Sequence, residues 1–564
     1  MPDHDGTALP RPWIAQYPRG VPPVVPVPED GIDGLFATAA ATFPDRPFLG
    51  FRGRQTTYGE AADIIRRLAA GLQRLGVGPE SRVALCLPNL PASALSYFAV
   101  LTAGATVVNL DPLAAEPQLV HQIADSGAEM VITVDLRPVC DRIIAALSQT
   151  PLRHVVVCRM AGMLPFPQNI AFRVRERARL AKLPHDPRIL EYAGLIGESV
   201  AETADGARPH ADIAVIQYTG GTTGPPKGAM LSHANLRANV AQLCAWFTRA
   251  EPGNERFLAV LPFFHCFGMT GVMNFAVSLG AELVIAPRFR PAETLQAIAR
   301  DRITMLVGVP ALFQALLECP AIEKTDFSSL KVCVSGGDVL REPLLRRFVA
   351  RTGVRLAEGY GLTECSPVVA CSNPLEGADR PGSCGLPLPG TDVAIHATEP
   401  PLRALPADET GEICVRGPQV MRGYWNRPEA TADALRDGWL HTGDLGRLDA
   451  DGYLYFVGRR KEVIAVRGYK VHARIIEDAI GLHPAVAEAA VIAVPDALRG
   501  EVPKAFVVAK DGAALEAAAL QAFLADHLSP NEMPRLFAFP PSLPKSPFGK
   551  VLKHVLAAAE KPPA

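Results

Sequence analysis

One segment limits what this chain can fold into more than any other: Tyr218-Thr219-Gly220-Gly221-Thr222-Thr223-Gly224-Pro225-Pro226-Lys227-Gly228. It lies between an apolar β-branched run, Ile213 to Tyr218, and a helix predicted from Ser232 onward. Glycines let backbone N–H groups approach an anion closely, threonine hydroxyls donate further hydrogen bonds, and a lysine adds a point charge. Thr219 to Gly224 with Lys227 therefore read as a loop that wraps polyphosphate. The pattern GxxxxGK[ST] cannot be matched to it, so it is not a Walker A loop. A glycine-rich strand–helix turn with no ligand is the plainer alternative.

The rest of the chain supplies the setting for such a loop. At 564 residues and 60.2 kDa it is too long for one core, and two or more domains are expected. Short β-branched runs alternate with helical ones: Arg82–Leu87, then Ala92–Ala103, Thr106–Leu110, Met130–Val134 and His154–Cys158. That rhythm predicts α/β architecture with largely parallel sheets. Ala62–Leu75 has the spacing of an amphipathic helix ended by Gly76. From about Ser383 to Val457 glycine, proline and short strand signals predict a β-rich subdomain. The last hundred or so residues carry their own signals (Ala489–Val494, Lys504–Ala509, Glu516–Leu528) and predict a small α+β domain. The expected division is a proline-rich extension over 1–30, a large domain over 31–458, a hinge at 459–461 and a small domain over 462–564.

Composition excludes several classes. Apolar content of 48% and charged content of 20% describe a globular protein, and a net charge of −2 gives no reason to expect nucleic acid as a partner. Eleven cysteines, with no CxxC pair and no ligand-like cluster in sequence, read as reduced thiols of a cytoplasmic protein. Val83–Leu110 and Leu258–Ala281 carry no charged side chain, but prolines and glycines break both, so neither is expected to span a membrane. Any membrane contact would be peripheral, on the inner face. Residues Ile170 to Leu183 suggest one: on a helix, Ile170, Val174, Ala178 and Ala181 share one side and Arg175, Arg179 and Lys182 the other. A solvated surface helix is the alternative there.

Three further segments follow the phosphate loop: Glu358-Gly359-Tyr360-Gly361-Leu362-Thr363-Glu364, Asp437-Gly438-Trp439-Leu440-His441-Thr442-Gly443-Asp444, and Pro544-Lys545-Ser546-Pro547-Phe548-Gly549-Lys550. In order and spacing the four resemble the core motifs of the adenylate-forming superfamily of acyl-CoA synthetases, adenylation domains and luciferases. The likeness covers roughly residues 30 to 555. Within the superfamily the chain is most similar to bacterial long-chain fatty-acid–CoA ligases, through Gly220-Gly221, Val415-Arg416-Gly417-Pro418-Gln419-Val420-Met421 and the run from Asp437 to Lys461.

The resemblance implies an activity and roles. A carboxylate is a poor acyl donor, and transfer of AMP onto it gives a mixed anhydride with a good leaving group. ATP, CoA and a fatty acid are then the substrates, with Mg2+ as the metal. Lys550 bridges the substrate carboxylate and the α-phosphate, Glu364 holds magnesium, and Thr363 donates to a phosphate. Tyr360 stacks on adenine, with Gly336, Gly337, Glu358 and Gly359 around the base. Asp444 accepts from the ribose hydroxyls and Arg459 makes a second ribose or phosphate contact. His265 is similar to the aromatic that separates the acyl pocket from the pantetheine tunnel, and Met269, Val272, Met273 and Phe275 suit an alkyl channel. For the thiol step the small domain turns about Lys461, withdrawing Lys550 and presenting Arg467 to Lys470, with Gly468 leaving room for pantetheine.

The match breaks at one place. Beyond Gly468 the family has a proline and two glutamates flanking an isoleucine, where this chain has Ala473, Arg474, Ile475, Ile476 and Glu477; Glu462 replaces an aspartate. These positions belong to thiol transfer, so adenylation is the firmer expectation. The alternatives are an enzyme adenylating aryl or medium-chain acids or serving a separate carrier protein, a non-catalytic acyl- or nucleotide-binding protein, and a luciferase-type oxygenase. A homodimer is compatible with the sequence.

Overall fold

Alternating β-branched and helical runs close into sheets whose inner strands are parallel. The computed structural model of the protein describes residues 10–197, 212–219, 226–373, 380–401, 403–466, 469–496, 499–545 and 551–560. The chain divides into two units. One comprises the described residues up to Thr219, those of Pro226–Asp392, and Arg416–Gly438; the other comprises those of Val393–Val415 and those from Trp439 on.

The first unit holds two large sheets. In the seven-stranded one the order is Ile189–Glu191, His154–Cys158, Met130–Val134, Arg82–Cys86, Thr106–Asn109, Ile213–Tyr218, Gly228–Ser232. All neighbours are parallel except the last pair. The helix expected from Ser232 onward runs over His233–Trp246; what the sequence does not announce is the strand between the loop and that helix. There the chain runs as strand Gly228–Ser232, antiparallel to Ile213–Tyr218, and leads straight into the helix. Ser232 caps that helix, accepting from Asn235 N–H at 3.1 Å. The strands that flank the loop in sequence are thus an antiparallel pair at the edge of a parallel sheet.

The second sheet has nine strands, with a parallel centre through Leu356–Gly361, Val332–Gly336, Met305–Gly308, Arg256–Ala259, Glu282–Ile285 and Pro47–Phe51. The helix expected at Ala62–Leu75 runs over Tyr58–Arg74. A Thr57–Glu60 capping box satisfies its first free N–H groups and so draws its start four residues earlier.

Two expectations change. The basic helix predicted over Ile170–Leu183 ends at Arg175, and beyond it the backbone pairs elsewhere: Arg137 N–H donates to Arg179 O at 2.9 Å and Ala181 N–H to Asp135 O at 2.8 Å. Ala181 is buried there, so the four-residue apolar face does not form. The cysteines, scattered in sequence, are all free, but folding brings Cys414 beside His396 and His441 and makes the ligand-like cluster absent from the linear pattern. Both charge-free stretches are broken into strands and short helices. Among the described residues no helix is long and apolar enough to cross a membrane.

The second unit contains a sheet with neighbours Asp392–His396, Gly411–Arg416, Trp439–Leu448 and Leu454–Arg459, the last three antiparallel. A further sheet is built on the long hairpin Val486–Asp496 with Gly500–Ala509. Helices Ala473–Gly481 and Ala517–Leu524 cover it through Ile476, Ile480, Leu520 and Leu524. In the segment that departs from the family pattern, Ala473 and Ile476 are core and Glu477 is pinned: it accepts from Val491 N–H at 2.7 Å and pairs with Lys553 at 2.8 Å.

Candidate active site

In the first unit the base of the glycine-rich loop is closed by Thr219 N–H donating to Lys227 O at 2.9 Å. Gly220, Gly221, Thr222, Thr223 and Gly224 lie outside the described residues. The Lys227 ammonium stands 4.8 Å from the centre of the Tyr424 ring, and the Tyr424 hydroxyl donates to Glu364 Oε1 at 2.7 Å. Burial, and then Glu364, push the Tyr424 phenol far above its ordinary value, so it remains a donor. The segment around Tyr424 is laced to the hairpin: Arg422 N–H donates to Met230 O at 2.9 Å, Met230 N–H to Gly423 O at 2.9 Å and Trp425 N–H to Gly228 O at 2.7 Å. Met421 N–H donates to Glu364 O at 2.8 Å. Cation, phenol and carboxylate are thereby held in a row beside the loop. Sequence reasoning missed Tyr424; its one signal was a tyrosine after glycine just past the motif ending at Met421.

The paired glycines sit where strand Val332–Gly336 ends beside strand Leu356–Gly361, with Ser335 opposite Glu358 and Gly336 opposite Gly359. A Cβ on Gly336 would lie 3.0 Å from Phe267 and 3.1 Å from Gly359 O, and Gly337 has a φ of +77°. The backbone at Gly337 favours glycine, and at Gly336 any side chain would press on Phe267 and the Gly359 carbonyl. Glu358 is buried and accepts from Leu340 N–H at 3.1 Å, so its carboxylate secures the turn after the glycines. Thr363 and Glu364 occupy one turn of 3₁₀ helix, Thr363–Cys365, directly after strand Leu356–Gly361.

A cavity of about 70 Å³ brings His265, Gly336, Gly337, Gly359, Tyr360 and Thr363 to one apolar space with Phe267 and Phe275. His265 caps the short helix after it, its Nδ1 accepting from Phe267 N–H at 3.2 Å. Of the apolar residues following His265, Phe275 lines this cavity; Met269, Val272 and Met273 are buried in core, where Asn109 donates to the Met269 sulfur at 3.3 Å.

In the second unit Asp444 and Arg459 are cross-strand partners, with Arg459 Nε 3.5 Å from Asp444 Oδ1. Asp444 is buried, and its N–H donates to Thr442 Oγ1 at 3.1 Å. Lys461 lies in the 3₁₀ turn Arg460–Glu462 that follows Arg459. Gly468 and Lys550 lie outside the described residues. Lys553, three positions beyond Lys550, pairs with Glu462 at 2.7 Å as well as with Glu477.

Two parallel-rich α/β sheets, followed by a small α+β region, constitute the adenylate-forming fold. The chain belongs to the AMP-binding enzyme family: that family's model matches residues 36–425, and the model of the AMP-binding enzyme C-terminal domain matches 475–550. A long-chain-fatty-acid–CoA ligase of Bacillus subtilis is 39% identical over 553 residues, covering 98% of each chain. One from Salmonella typhimurium is 37% identical over 96% of this chain and 97% of its own. Among solved structures, ATP-bound MatB from Rhodopseudomonas palustris superposes with a TM-score of 0.82 at 30% identity, covering 94% of this chain and 99% of MatB.

Proposed function

We propose that this protein is an ATP-dependent fatty-acid–CoA ligase. It converts a long-chain fatty acid and ATP to acyl-AMP and pyrophosphate, then passes the acyl group to CoA and releases AMP. The observation that carries the reading is end-to-end likeness, at 39% identity, to a relative named a long-chain-fatty-acid–CoA ligase.

The chain's own residues fit this chemistry. Lys227 and the loop from Thr219 bind the polyphosphate, and Tyr424 fixes the direction in which Glu364 offers its carboxylate. Glu364 is a hard-oxygen donor of the kind magnesium takes beside phosphate, and the metal, when bound, neutralises charge on the phosphate oxygens. Thr363 donates to a phosphate, and Tyr360 with Gly336, Gly337 and Gly359 receives adenine. Asp444 and Arg459 serve the ribose. Lys550 acts on the substrate carboxylate and α-phosphate in adenylation; Gly468 and Lys461 serve the thiol step and the turn between the two steps. His265 lines the apolar cavity and would separate the acyl pocket from the pantetheine tunnel. Peripheral contact with a membrane is supported by Phe166, Ile170 and Val174, which are 77%, 55% and 68% exposed beside a run of arginines.

An aryl acid is the second reading, because a feruloyl-CoA synthase of Amycolatopsis is 35% identical over 89% of this chain. The deciding experiment is magnesium-ATP turnover with a series of fatty acids and with ferulate, with and without CoA, following acyl-AMP and acyl-CoA by mass. Acyl-CoA greatest with long chains is the expected result. Preference for ferulate would transfer the assignment to aryl acids, and acyl-AMP without acyl-CoA would point to another acceptor.

A further inference from the structure

Three neighbouring strands of the second unit bring two imidazoles and a thiol together. His396 ends Asp392–His396, Cys414 lies in Gly411–Arg416, and His441 lies in Trp439–Leu448. One donor atom from each falls within 4.8 Å of the other two. Cys414 and His441 are cross-strand partners, with Sγ 3.4 Å from Nδ1. A sulfur and a nitrogen bound to one tetrahedral zinc, at about 2.3 and 2.0 Å, stand about 3.5 Å apart. The pair therefore already has the separation of two ligands on one ion.

The surroundings point the same way. Cys414 is 0% exposed and the His441 side chain 7%. Glu412, two residues before Cys414 and nearly as buried, places Oε2 3.2 Å from His441 Nδ1, while its Oε1 accepts from Gly443 N–H at 3.0 Å. The buried carboxylate adds a negative charge on the side of the ring that the sulfur also approaches, which favours a cation bound there. His396 packs edge-on against Trp439, with centroids 5.6 Å apart, which limits its motion.

We infer that His396, Cys414 and His441 form a site for a thiophilic divalent cation, best matched by Zn2+, with Glu412 as its neighbouring carboxylate. One soft sulfur with two imidazoles favours zinc over magnesium, so this site is separate in chemistry from the metal that accompanies ATP. On binding, the Cys414 thiol releases its proton to solvent and the sulfur lone pair goes to the metal, with no change of oxidation state. His441 is three residues before Asp444 on one strand, so the ion would fix the strand that presents that carboxylate.

The test is cobalt titration of the full-length protein after chelator treatment. We expect one Co2+ per chain, intense visible bands of a four-coordinate ion, a thiolate-to-cobalt charge-transfer band in the near ultraviolet, and loss of all of these on adding Zn2+. Cys414→Ser should abolish the charge-transfer band. His396→Gln, at a half-buried strand end, should weaken cobalt binding about tenfold or more. A spectrum without the charge-transfer band overturns the inference, as does unaltered cobalt affinity in His396→Gln, a readout that stands even should Cys414→Ser fail to fold.

Discussion

The Tyr424 hydroxyl donates to Glu364 at 2.7 Å while the Tyr424 ring faces the Lys227 ammonium at 4.8 Å, so one side chain positions both an anion and a cation. Tyr424→Phe keeps the ring and removes the donor. A hydrogen bond to a charged group contributes roughly 1.5–3 kcal/mol, so adenylation should fall about ten- to a hundredfold. Because the loss acts through Glu364, the magnesium concentration giving half-maximal ATP–pyrophosphate exchange should rise as well. An unchanged magnesium dependence would mean that Tyr424 only supports the fold.

Lys550 and Gly468 are proposed to serve different half-reactions, which makes their variants separable. Lys550→Ala should cut acyl-AMP formation by orders of magnitude, about 10² or more, since it removes a positioned charge from the transferring phosphate. The same variant should still convert preformed acyl-AMP to acyl-CoA. Gly468→Leu should behave in the opposite way, adenylating normally and thiolating poorly. Equal loss of both steps in both folded variants would falsify the division of labour.

The elements that position the site were legible in sequence wherever local periodicity decides structure. Strands at Met130–Val134 and His154–Cys158 fall where the apolar runs place them. The hairpin strand Gly228–Ser232 was not legible, because its pairing with Ile213–Tyr218 is a contact made across the glycine-rich loop and leaves no period of its own. The helix over Ile170–Leu183 failed for a related reason: its second half satisfies its backbone against Asp135 and Arg137, partners distant in sequence. Tyr424 and the His396–Cys414–His441 grouping depend on strand register and loop return. Such relations exist only once the fold is formed.

His472 ends strand Tyr469–His472 and precedes helix Ala473–Gly481. Burial lowers its pKa from the ordinary 6.5; Lys470 adds to that and Glu532 opposes it. The unfolded chain therefore takes up this proton more readily than the folded one. The contribution to stability is complete above pH 6.5 and is lost as pH falls through that value toward the folded pKa. His472→Gln should flatten the decline of melting temperature between about pH 7.5 and 5.5 relative to the parent. A parallel decline in both proteins would remove His472 as a source of acid sensitivity.

The short helix Gln168–Arg175 has no buried residue, and Phe166, Ile170 and Val174 project from its vicinity at 77%, 55% and 68% exposure. From Arg173 to Lys182 four arginines and one lysine face a single glutamate, in a chain whose net charge is −2. All five cations are exposed. Apolar side chains flanked by cations complement an anionic lipid surface, where each cation contributes about 1 kcal/mol. Arg173→Glu with Arg175→Glu should thus reduce co-sedimentation with phosphatidylserine vesicles by tenfold or more, roughly, and raised salt should do the same to the parent. Phe166→Ser with Ile170→Ser should weaken binding to these vesicles without changing its salt dependence. Both double variants should keep full turnover on a short, water-soluble fatty acid, because none of the four residues lines the cavity at His265. Retention on vesicles by both would leave the helix a solvated surface element, and capture of RNA in place of vesicles would assign the basic run to a different partner.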